Sequence, residues 1–292
     1  MSELEHVLAV KNRLGEGPVW DSDAQILYWV DIMENTFYRY NPISGTHEVV
    51  NVGVPIGVLA VRASGGLVMA TRDGFAFWDE RKQKLEFIAD PEADKPRNRF
   101  NDGAVDCKGR FWAGTMDASA DGKPVGALYR LDADGSVHTM ETGLCIPNGL
   151  GWSPDNTIMY FTDSSRHVIY AYDFDAETGA ISNRRTFVQT PLEDPADPDG
   201  LTVDSQGYVW SAYWNGAKIV RYAPDGTVER VLEVPALRPT SCVFGGEHLD
   251  ELYITSSRAD LTGEQLEQYP LSGDLFRLKT GIRGLPKYKF AG

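Results

Sequence analysis

This 292-residue chain has little cysteine and histidine, and neither residue type is arranged as a recognisable metal or catalytic motif. The three cysteines are far apart and include no CxxC pair, which excludes a complete disulfide framework and a cysteine zinc site. The five histidines show no HxH or HExxH spacing and no partnership with a GxSxG serine. Serine-hydrolase and zinc-protease chemistry are therefore poorly supported.

The sequence also lacks an excess of basic residues and a long apolar run. Its formal net charge is -14, and because an acidic surface repels phosphate we expect no nucleic acid and no membrane as a partner. The first ten residues, MSELEHVLAV, contain no Lys or Arg and so lack the basic start of a secretory signal. No apolar run is long enough to span a bilayer. We therefore expect a cytoplasmic protein, a monomer or weak dimer, whose partner is a small molecule.

Long helical periodicity is scarce, and short β-branched and aromatic runs between Gly, Pro, Asn and Asp turns recur instead. Six copies of one unit are present, each with an aromatic or aliphatic anchor in a strand that is followed by a second strand and a turn. The anchors are Tyr28, Val68, Trp112, Tyr160, Trp210 and Tyr253, at spacings of 40, 44, 48, 50 and 43 residues. These spacings are close to the blade length of propellers.

The repeat predicts an all-β fold, a six-bladed β-propeller formed as one domain by residues 1–292. Residues 6–10 are expected to close the ring by adding a strand to the last blade, which would cover a sheet edge. Periodicity alone leaves other all-β architectures open, including sandwiches with regular hairpins.

The innermost strand of each blade borders the central channel, so residues at the same point of every repeat should converge on the axis. Eleven or twelve residues before the anchors stand Glu16, Ile56, Asn101, Asn148, Asp199 and Ser241. Asn-Gly and Asp-Gly are ordinary hairpin-turn dipeptides, and we interpret Asp225-Gly226 at the rim in that way. Asn148 and Asp199 differ because each precedes an inner strand, which favours a site.

Carboxylates and amide oxygens crowded on one axis repel one another and are costly to desolvate unless a cation neutralises them. We therefore predict a central metal site that holds one divalent ion. All-oxygen ligands favour Ca²⁺, Mg²⁺ or Mn²⁺, although Zn²⁺ or Fe²⁺ can also occupy carboxylate sites.

At these residues the sequence resembles the SMP-30/gluconolactonase family, the regucalcin-like sugar lactonases. The matching segments, in order along the chain, are LGEGPVW at 14–20, RFNDGAVDCKGRFWAGTM at 99–116, GALYRLDADG at 126–135, IPNGLGWSPD at 146–155, PDGLTVDSQGYVW at 198–210 and CVFGG at 242–246. The resemblance implies a metal-dependent hydrolase that opens a sugar lactone, such as a glucono-, xylono-, arabinono- or galactonolactone, to the aldonic acid in carbohydrate catabolism.

The resemblance also implies roles for individual residues. The metal ligands would be Glu16, Asn148 and Asp199, with Asp199 also proposed as the general base or as the ligand that orients the attacking water. Arg99 and Asn101 match positions that hold substrate hydroxyls. Asp117 follows the GTM segment and is either a substrate contact or a residue of a surface turn.

Two other functions remain open for the same scaffold. One is a metal-centred esterase or phosphotriesterase, since fold does not fix function. The other is a non-catalytic role, as a calcium-binding regucalcin-like protein or an interaction propeller. The sequence does not identify the sugar, because the candidate lactones differ by only one or two substituents.

Overall fold

The computed structural model of the protein describes residues 4–292, which form six four-stranded antiparallel sheets. In five of the sheets the four strands are consecutive in the chain and pair in sequence order. The sixth sheet combines the last three strands with the first, in the order β1-β24-β23-β22. The arrangement confirms the predicted six-bladed β-propeller.

The strands are numbered in chain order. The first is β1 (Glu5–Leu8). Blade 1 contains β2 (Gly15–Asp21), β3 (Ile26–Asp31), β4 (Thr36–Asn41) and β5 (Thr46–Asn51). Blade 2 contains β6 (Ile56–Val61), β7 (Leu67–Thr71), β8 (Gly74–Asp79) and β9 (Lys84–Ala89). Blade 3 contains β10 (Asn98–Val105), β11 (Phe111–Asp117), β12 (Gly126–Leu131) and β13 (Val137–Leu144). Blade 4 contains β14 (Pro147–Trp152), β15 (Ile158–Asp163), β16 (Val168–Asp175) and β17 (Ala180–Gln189). Blade 5 contains β18 (Asp197–Val203), β19 (Val209–Trp214), β20 (Lys218–Tyr222) and β21 (Val228–Glu233). Blade 6 contains β22 (Arg238–Gly245), β23 (Glu251–Ser257), β24 (Leu275–Lys279) and β1.

Helical structure is confined to short connections. A 3-10 helix spans Ser164–Arg166, and the α-helix α1 spans Gly263–Gln268. Thr262 begins α1 through a capping box in which its hydroxyl accepts the Gln265 N–H. Within residues 4–292, no helix combines the length and the apolar character needed to cross a membrane.

The anchors all lie in the second strand of a blade, where they pack between neighbouring sheets. Trp112 and Trp210 are completely buried, and each indole N–H donates to an aspartate of its own blade. Tyr28 is half-buried, and its neighbour Trp29 lies in the core instead, stacked on Tyr38 at 4.6 Å between ring centroids. The aromatic repeat of the sequence therefore marks the packing layer between blades.

The six innermost strands form a closed ring in which each contacts the next and β22 returns to β2. Each one is also interrupted by a register shift against its second strand. The shifts lie between Glu16/Val19, Ile56/Val58, Phe100/Gly103, Asn148/Leu150, Pro198/Leu201 and Pro239/Ser241. A β-bulge bends the strand and re-aims a side chain. The ring therefore bulges at the same level in every blade, where the sequence places its channel residues.

The C-terminal segment crosses one end of the channel. Gly284 of this segment forms an isolated β-bridge with Asp204 in blade 5, and Phe290 forms another with Arg62 in blade 2. We call the end that this segment, residues 284–291, covers the closed end, and the opposite end the open end. The C-terminal segment therefore obstructs approach to the axis from the closed end.

The N-terminal strand completes the last blade, as expected, because β1 pairs antiparallel with β24. The buried side chain of Asp274 links β24 to the N-terminal residues. Its carboxylate accepts hydrogen bonds from His6 Nε2 at 2.9 Å and from the Lys11 backbone N–H at 3.1 Å, and it pairs with Lys11 Nζ at 2.8 Å. Near the surface of the same junction, Arg277 Nη2 contacts Glu5 at 2.7 Å.

Ring closure should depend more on the contacts of the buried Asp274 carboxylate than on the Arg277–Glu5 ion pair near the surface. We predict that Asp274→Ala lowers the free energy of unfolding by on the order of 3 kcal/mol, because it leaves partners of a buried carboxylate unpaired. Glu5→Ala removes an ion pair whose carboxylate is 55% exposed and should cost about 0–1 kcal/mol. Urea unfolding and amide hydrogen exchange of residues 5–8 measure both effects, and equal losses in the two variants would contradict this account of closure.

Candidate active site in the central channel

The open end of the channel holds a cavity of about 430 Å³, within the size range of small-molecule sites. It is lined by Leu14, Glu16, Met33, Arg99, Asn101, Met116, Ala118, Ser119, Ala120, Ile146, Asn148, Ser164, Ser165, Asp197, Asp199, Trp214, Ala259 and Asp260. Of the six residues predicted for the site, the structure brings five together here, namely Glu16, Arg99, Asn101, Asn148 and Asp199. Ser241, which shares their register, lines a smaller cavity at the closed end.

Glycines that follow the polar residues allow neighbouring inner strands to approach closely. A Cβ added to Gly149 would lie 2.6 Å from the Leu201 backbone nitrogen, and one added to Gly200 would lie 2.2 Å from Ser241 Oγ. Any other residue would separate these strands. The Asn-Gly and Asp-Gly dipeptides of the channel are thus required by packing and are not hairpin turns.

A chain of hydrogen bonds runs around the cavity floor through three blades. Asn101 Nδ2 donates to Asn148 Oδ1 and to the Pro147 carbonyl, both at 2.9 Å. Asn148 Nδ2 donates to Ser164 Oγ at 2.9 Å, and Ser164 Oγ donates to the Pro198 carbonyl at 2.7 Å. Asn148 is thus oriented with its nitrogen toward Ser164, and its oxygen, which accepts one hydrogen bond from Asn101, keeps its second lone pair for a ligand.

The two carboxylates of the cavity floor are buried, and their surroundings disfavour ionisation. Burial raises the pKa of Glu16 to about 8, the Asp102 charge adds to the shift, and the Gly17 N–H and Arg99 oppose it. Burial likewise raises the pKa of Asp199 well above its usual value, and Glu16 and Asp102 add to that shift. Without a cation, both groups therefore ionise only at a cost.

The donor set fits a divalent cation. Asp199 Oδ1 is buried without a hydrogen-bond partner, and Glu16 Oε2 accepts the N–H of the adjacent Gly17 at 3.0 Å. Within residues 4–292, no group of three or more His, Cys, Asp or Glu side chains is arranged to hold a metal. The third donor here is the amide oxygen of Asn148, and carboxylate and amide oxygens are the ligands that hard cations prefer.

Arg99 and Asn101 are held together beside the floor. Arg99 Nη1 donates to Asn101 Oδ1 at 2.8 Å and to the Phe100 carbonyl at 2.9 Å. Burial lowers the pKa of Arg99 to about 10, and the Glu16 charge opposes this shift, so the guanidinium is still protonated at neutral pH. The side-chain oxygen and nitrogen of Asn101 both bond to protein neighbours. Asn101 therefore positions Asn148, in addition to its predicted role as a substrate contact.

Asp117 lies outside the cavity lining. Its Oδ1 accepts hydrogen bonds from the Ser119 N–H at 3.0 Å and the Ser119 hydroxyl at 2.7 Å, and its Oδ2 lies 3.1 Å from Arg97 Nη2. Asp117 therefore shapes the turn that carries Ser119 and Ala120 into the cavity. The Arg97 side chain is 72% exposed.

The closed end holds a third buried carboxylate and a lysine, neither of which the sequence interpretation included. Asp102 and Lys287 line the same small cavity, and Lys287 Nζ contacts Thr202 Oγ1 at 3.2 Å. Burial raises the pKa of Asp102 to about 6 against the opposing charge of Lys287, and burial lowers the pKa of Lys287. Asp102 follows Asn101 in the RFNDG segment, and this position could have identified it as a channel residue. Lys287 lies outside every repeat, so the repeat pattern could not identify it.

A second missed group is the pair of Asp197 and His167 at the cavity wall, with His167 Nε2 2.7 Å from Asp197 Oδ1. Burial raises the pKa of Asp197, and the imidazole opposes this shift. The position of Asp197, two residues before Asp199 in the same strand, was the available signal. His167 is distant from Asp197 in sequence, and no sequence pattern identified it as part of the site.

The chain is similar to several known proteins over most of its length. A family model described as SMP-30/Gluconolactonase/LRE-like region matches residues 14–258. The chain is 41% identical to pentonolactonase XacC of Haloferax volcanii over 284 residues, which cover 95% of this chain and 94% of that relative. It is 37% identical to 6-deoxy-6-sulfogluconolactonase of Pseudomonas putida over 289 residues, 99% of each protein. The solved structure of regucalcin from Agrobacterium tumefaciens, described as a calcium-binding protein, is similar with a TM-score of 0.94 and 27% identity, covering 100% of this chain and 98% of that one.

The raised pKa of Glu16 predicts how metal-free protein responds to pH. In the unfolded chain this carboxyl loses its proton near its ordinary value of 4.5, whereas in the fold it keeps the proton to about 8. The stabilising contribution of Glu16 to the metal-free protein is therefore fully present below pH 4.5 and is lost as the pH rises toward 8.

We predict that Glu16→Gln stabilises chelator-treated protein at pH 8 by on the order of a few kcal/mol, since the amide needs no proton. Thermal unfolding from pH 5 to 8 measures the effect. Glu34→Gln, at an exposed carboxylate, is the control and should leave the pH profile unchanged. A Glu16→Gln profile identical to that of the parent protein would contradict the assigned electrostatics.

Proposed function

This chain belongs to the SMP-30/Gluconolactonase/LRE-like family, and on that basis and the channel geometry we propose that it is a metal-dependent hydrolase that opens sugar lactones. The observation that carries the proposal is the convergence of two buried carboxylates and an amide oxygen on the floor of a small-molecule cavity. We assign Glu16, Asn148 and Asp199 as the ligands of one divalent ion.

A divalent ion bound there would polarise the lactone carbonyl and lower the pKa of a water molecule. We propose that the Asp199 carboxylate accepts the proton of the attacking water, which is supported by the lack of a hydrogen-bond partner for its Oδ1 within residues 4–292. The water oxygen bonds to the carbonyl carbon, the bond from that carbon to the ring oxygen breaks, and the proton passes to the ring oxygen. A carboxylate that also serves as a ligand is a weak base, so the ligand role of Asp199 is the firmer part of the proposal.

The remaining polar residues of the cavity position the substrate. Arg99 offers N–H donors to sugar hydroxyls and stays charged, so it contributes position and not proton transfer. Asn101 fixes Arg99 on one side and Asn148 on the other. A cavity of about 430 Å³ suits a single sugar ring, and pentonolactones and hexonolactones are both candidate substrates.

The nature of the ion and the setting are also part of the proposal. The oxygen donors favour Ca²⁺, Mg²⁺ or Mn²⁺ and tolerate Zn²⁺ or Fe²⁺, and regucalcin of A. tumefaciens is described as calcium-binding.

Cys107, Cys145 and Cys242 are unpaired, which suits the reducing cytoplasm. We propose a cytoplasmic monomer or weak dimer.

The proposal is tested by assaying aldonolactones in a pH-stat, using protein stripped of metal and reloaded separately with Ca²⁺, Zn²⁺, Mn²⁺ and Fe²⁺. We expect metal-dependent hydrolysis of at least one aldonolactone and none after chelation. Paraoxon and aryl esters are measured in parallel. Preference for either would favour the esterase or phosphotriesterase alternative, and no turnover with any metal would favour a calcium-binding protein without catalysis.

Removal of either carboxylate ligand should abolish the activity. We predict that Glu16→Ala and Asp199→Ala reduce lactone hydrolysis to the uncatalysed rate and abolish metal binding while the circular dichroism spectrum is unchanged. Asp225→Ala is the matched control, because Asp225 also precedes a glycine but lies exposed at the rim. Full activity in either ligand variant would refute the site assignment.

Substitution of Asn101 should reduce the activity less than substitution of Glu16 or Asp199. We predict that Asn101→Ala raises KM about tenfold, the size of one lost hydrogen bond to a polar partner, with a smaller change in metal affinity. Calorimetric metal titration beside the steady-state assay separates the two effects. A loss of metal affinity as large as that of Glu16→Ala would instead make Asn101 a ligand.

A further inference from the structure

Asp197 is a second cavity carboxylate that the proposed chemistry does not use. It begins β18, where its Cα is paired with that of Trp214, another residue of the cavity wall. Its Oδ1 lies 2.7 Å from His167 Nε2, and the side chain is 30% exposed. One oxygen of Asp197 thus faces a fixed imidazole, while the partly exposed carboxylate lines the cavity, where a ligand can reach it.

His167 is itself rigidly placed, so the pair is a built feature of the wall. The residue adopts a left-handed conformation with φ 53° at the end of the 3-10 helix, and its N–H donates to the Ser164 carbonyl at 2.7 Å. Its carbonyl accepts hydrogen bonds from the Thr190 N–H and from Gln189 Nε2, both at 3.0 Å. The imidazole side chain is only 11% exposed. Because Ser164 also bonds to Asn148, the pair is anchored to the same hydrogen-bond chain as the cavity floor.

The charges of the lining are unequal. Four carboxylates line the cavity, those of Glu16, Asp197, Asp199 and Asp260, against the single guanidinium of Arg99. A divalent ion would offset Glu16 and Asp199. Asp260 is offset by the charge of Arg238, whose guanidinium lies over the Trp214 ring at 4.6 Å. Arg99 is bonded to Asn101 and the Phe100 carbonyl. The negative charge next to the substrate is therefore concentrated at Asp197, which also has Asp194 nearby. A neutral polyhydroxylated ring supplies hydroxyl donors to such a wall, whereas an anionic substituent is repelled.

We infer that Asp197, held by His167, is a specificity-determining residue that accepts a hydrogen bond from a substrate hydroxyl and selects neutral sugar lactones over lactones with an anionic substituent. This inference rests on the proposed lactonase function. It assigns Asp197 no part in proton transfer and none in holding the metal.

The test compares two lactones that differ only at C6, gluconolactone with a hydroxyl and 6-deoxy-6-sulfogluconolactone with a sulfonate. We expect the parent protein to favour gluconolactone in kcat/KM by at least about 100-fold. Asp197→Asn keeps the shape and removes the charge. It should raise KM for gluconolactone about tenfold and raise kcat/KM for the sulfonated lactone, which reduces the preference by at least about tenfold.

Two controls separate charge at the wall from other effects. Asp194→Asn removes a nearby carboxylate that is not part of the cavity lining and should leave the preference within about twofold. His167→Leu should raise KM for gluconolactone with little change in kcat, because it frees Asp197 to move, and His167→Gln should restore part of the affinity by supplying an N–H donor.

Calorimetric metal titration provides a readout besides activity, and Asp197→Asn should leave the metal affinity within about threefold. An unchanged lactone preference in Asp197→Asn, an equal change in Asp194→Asn, or loss of metal binding in Asp197→Asn would overturn the inference while the lactonase function stands. Failure of the parent protein to hydrolyse either lactone would instead count against the proposed function itself.

Discussion

Mutual repulsion of carboxylates on a buried axis is the constraint on which the rest of this structure depends. Six inner strands bulge at the same level, and the ring they form directs Glu16, Asp102 and Asp199 into one channel with little access to water. Burial raises the pKa of all three. Such an arrangement costs stability in the metal-free protein, and a cation bound at the open end, as we propose, would recover it. The arrangement is therefore best explained by binding and not by folding.

The two ends of the channel relieve this repulsion differently. At the closed end, the C-terminal segment brings Lys287 into the cavity that Asp102 lines, so the chain supplies a cation of its own. At the open end, the described residues supply only Arg99, which is bonded to Asn101 and the Phe100 carbonyl. We therefore propose that an external ion neutralises Glu16 and Asp199, on the side of the open end. The same division places the proposed chemistry at one end and the closure of the ring at the other.

Much of the fold and part of the site could be predicted from the sequence, because both depend on a repeat. The anchors from Tyr28 to Tyr253 marked the second strand of every blade, and counting back from them located four polar residues that share one cavity. The bulges could not be predicted, since they arise from pairing between strands. Lys287 was missed because it lies outside the repeat, and His167 was missed because it lies in the connection between β15 and β16 and not in an inner strand. For Asp117 the sequence left a substrate contact and a surface turn open, and its carboxylate contacts Ser119 and Arg97. Repetition predicts where strands converge, whereas contacts made across blades and by terminal segments follow from the tertiary structure.

The most direct test of the central claim is to locate the ion. Crystals of the chelated protein soaked in Mn²⁺ would be measured for anomalous scattering at an X-ray energy above the manganese absorption edge. The account predicts one strong peak at the open end of the channel, within about 2.5 Å of oxygens of Glu16, Asn148 and Asp199. A peak beside Asp102 at the closed end, or no peak in the channel at saturating Mn²⁺, would contradict it.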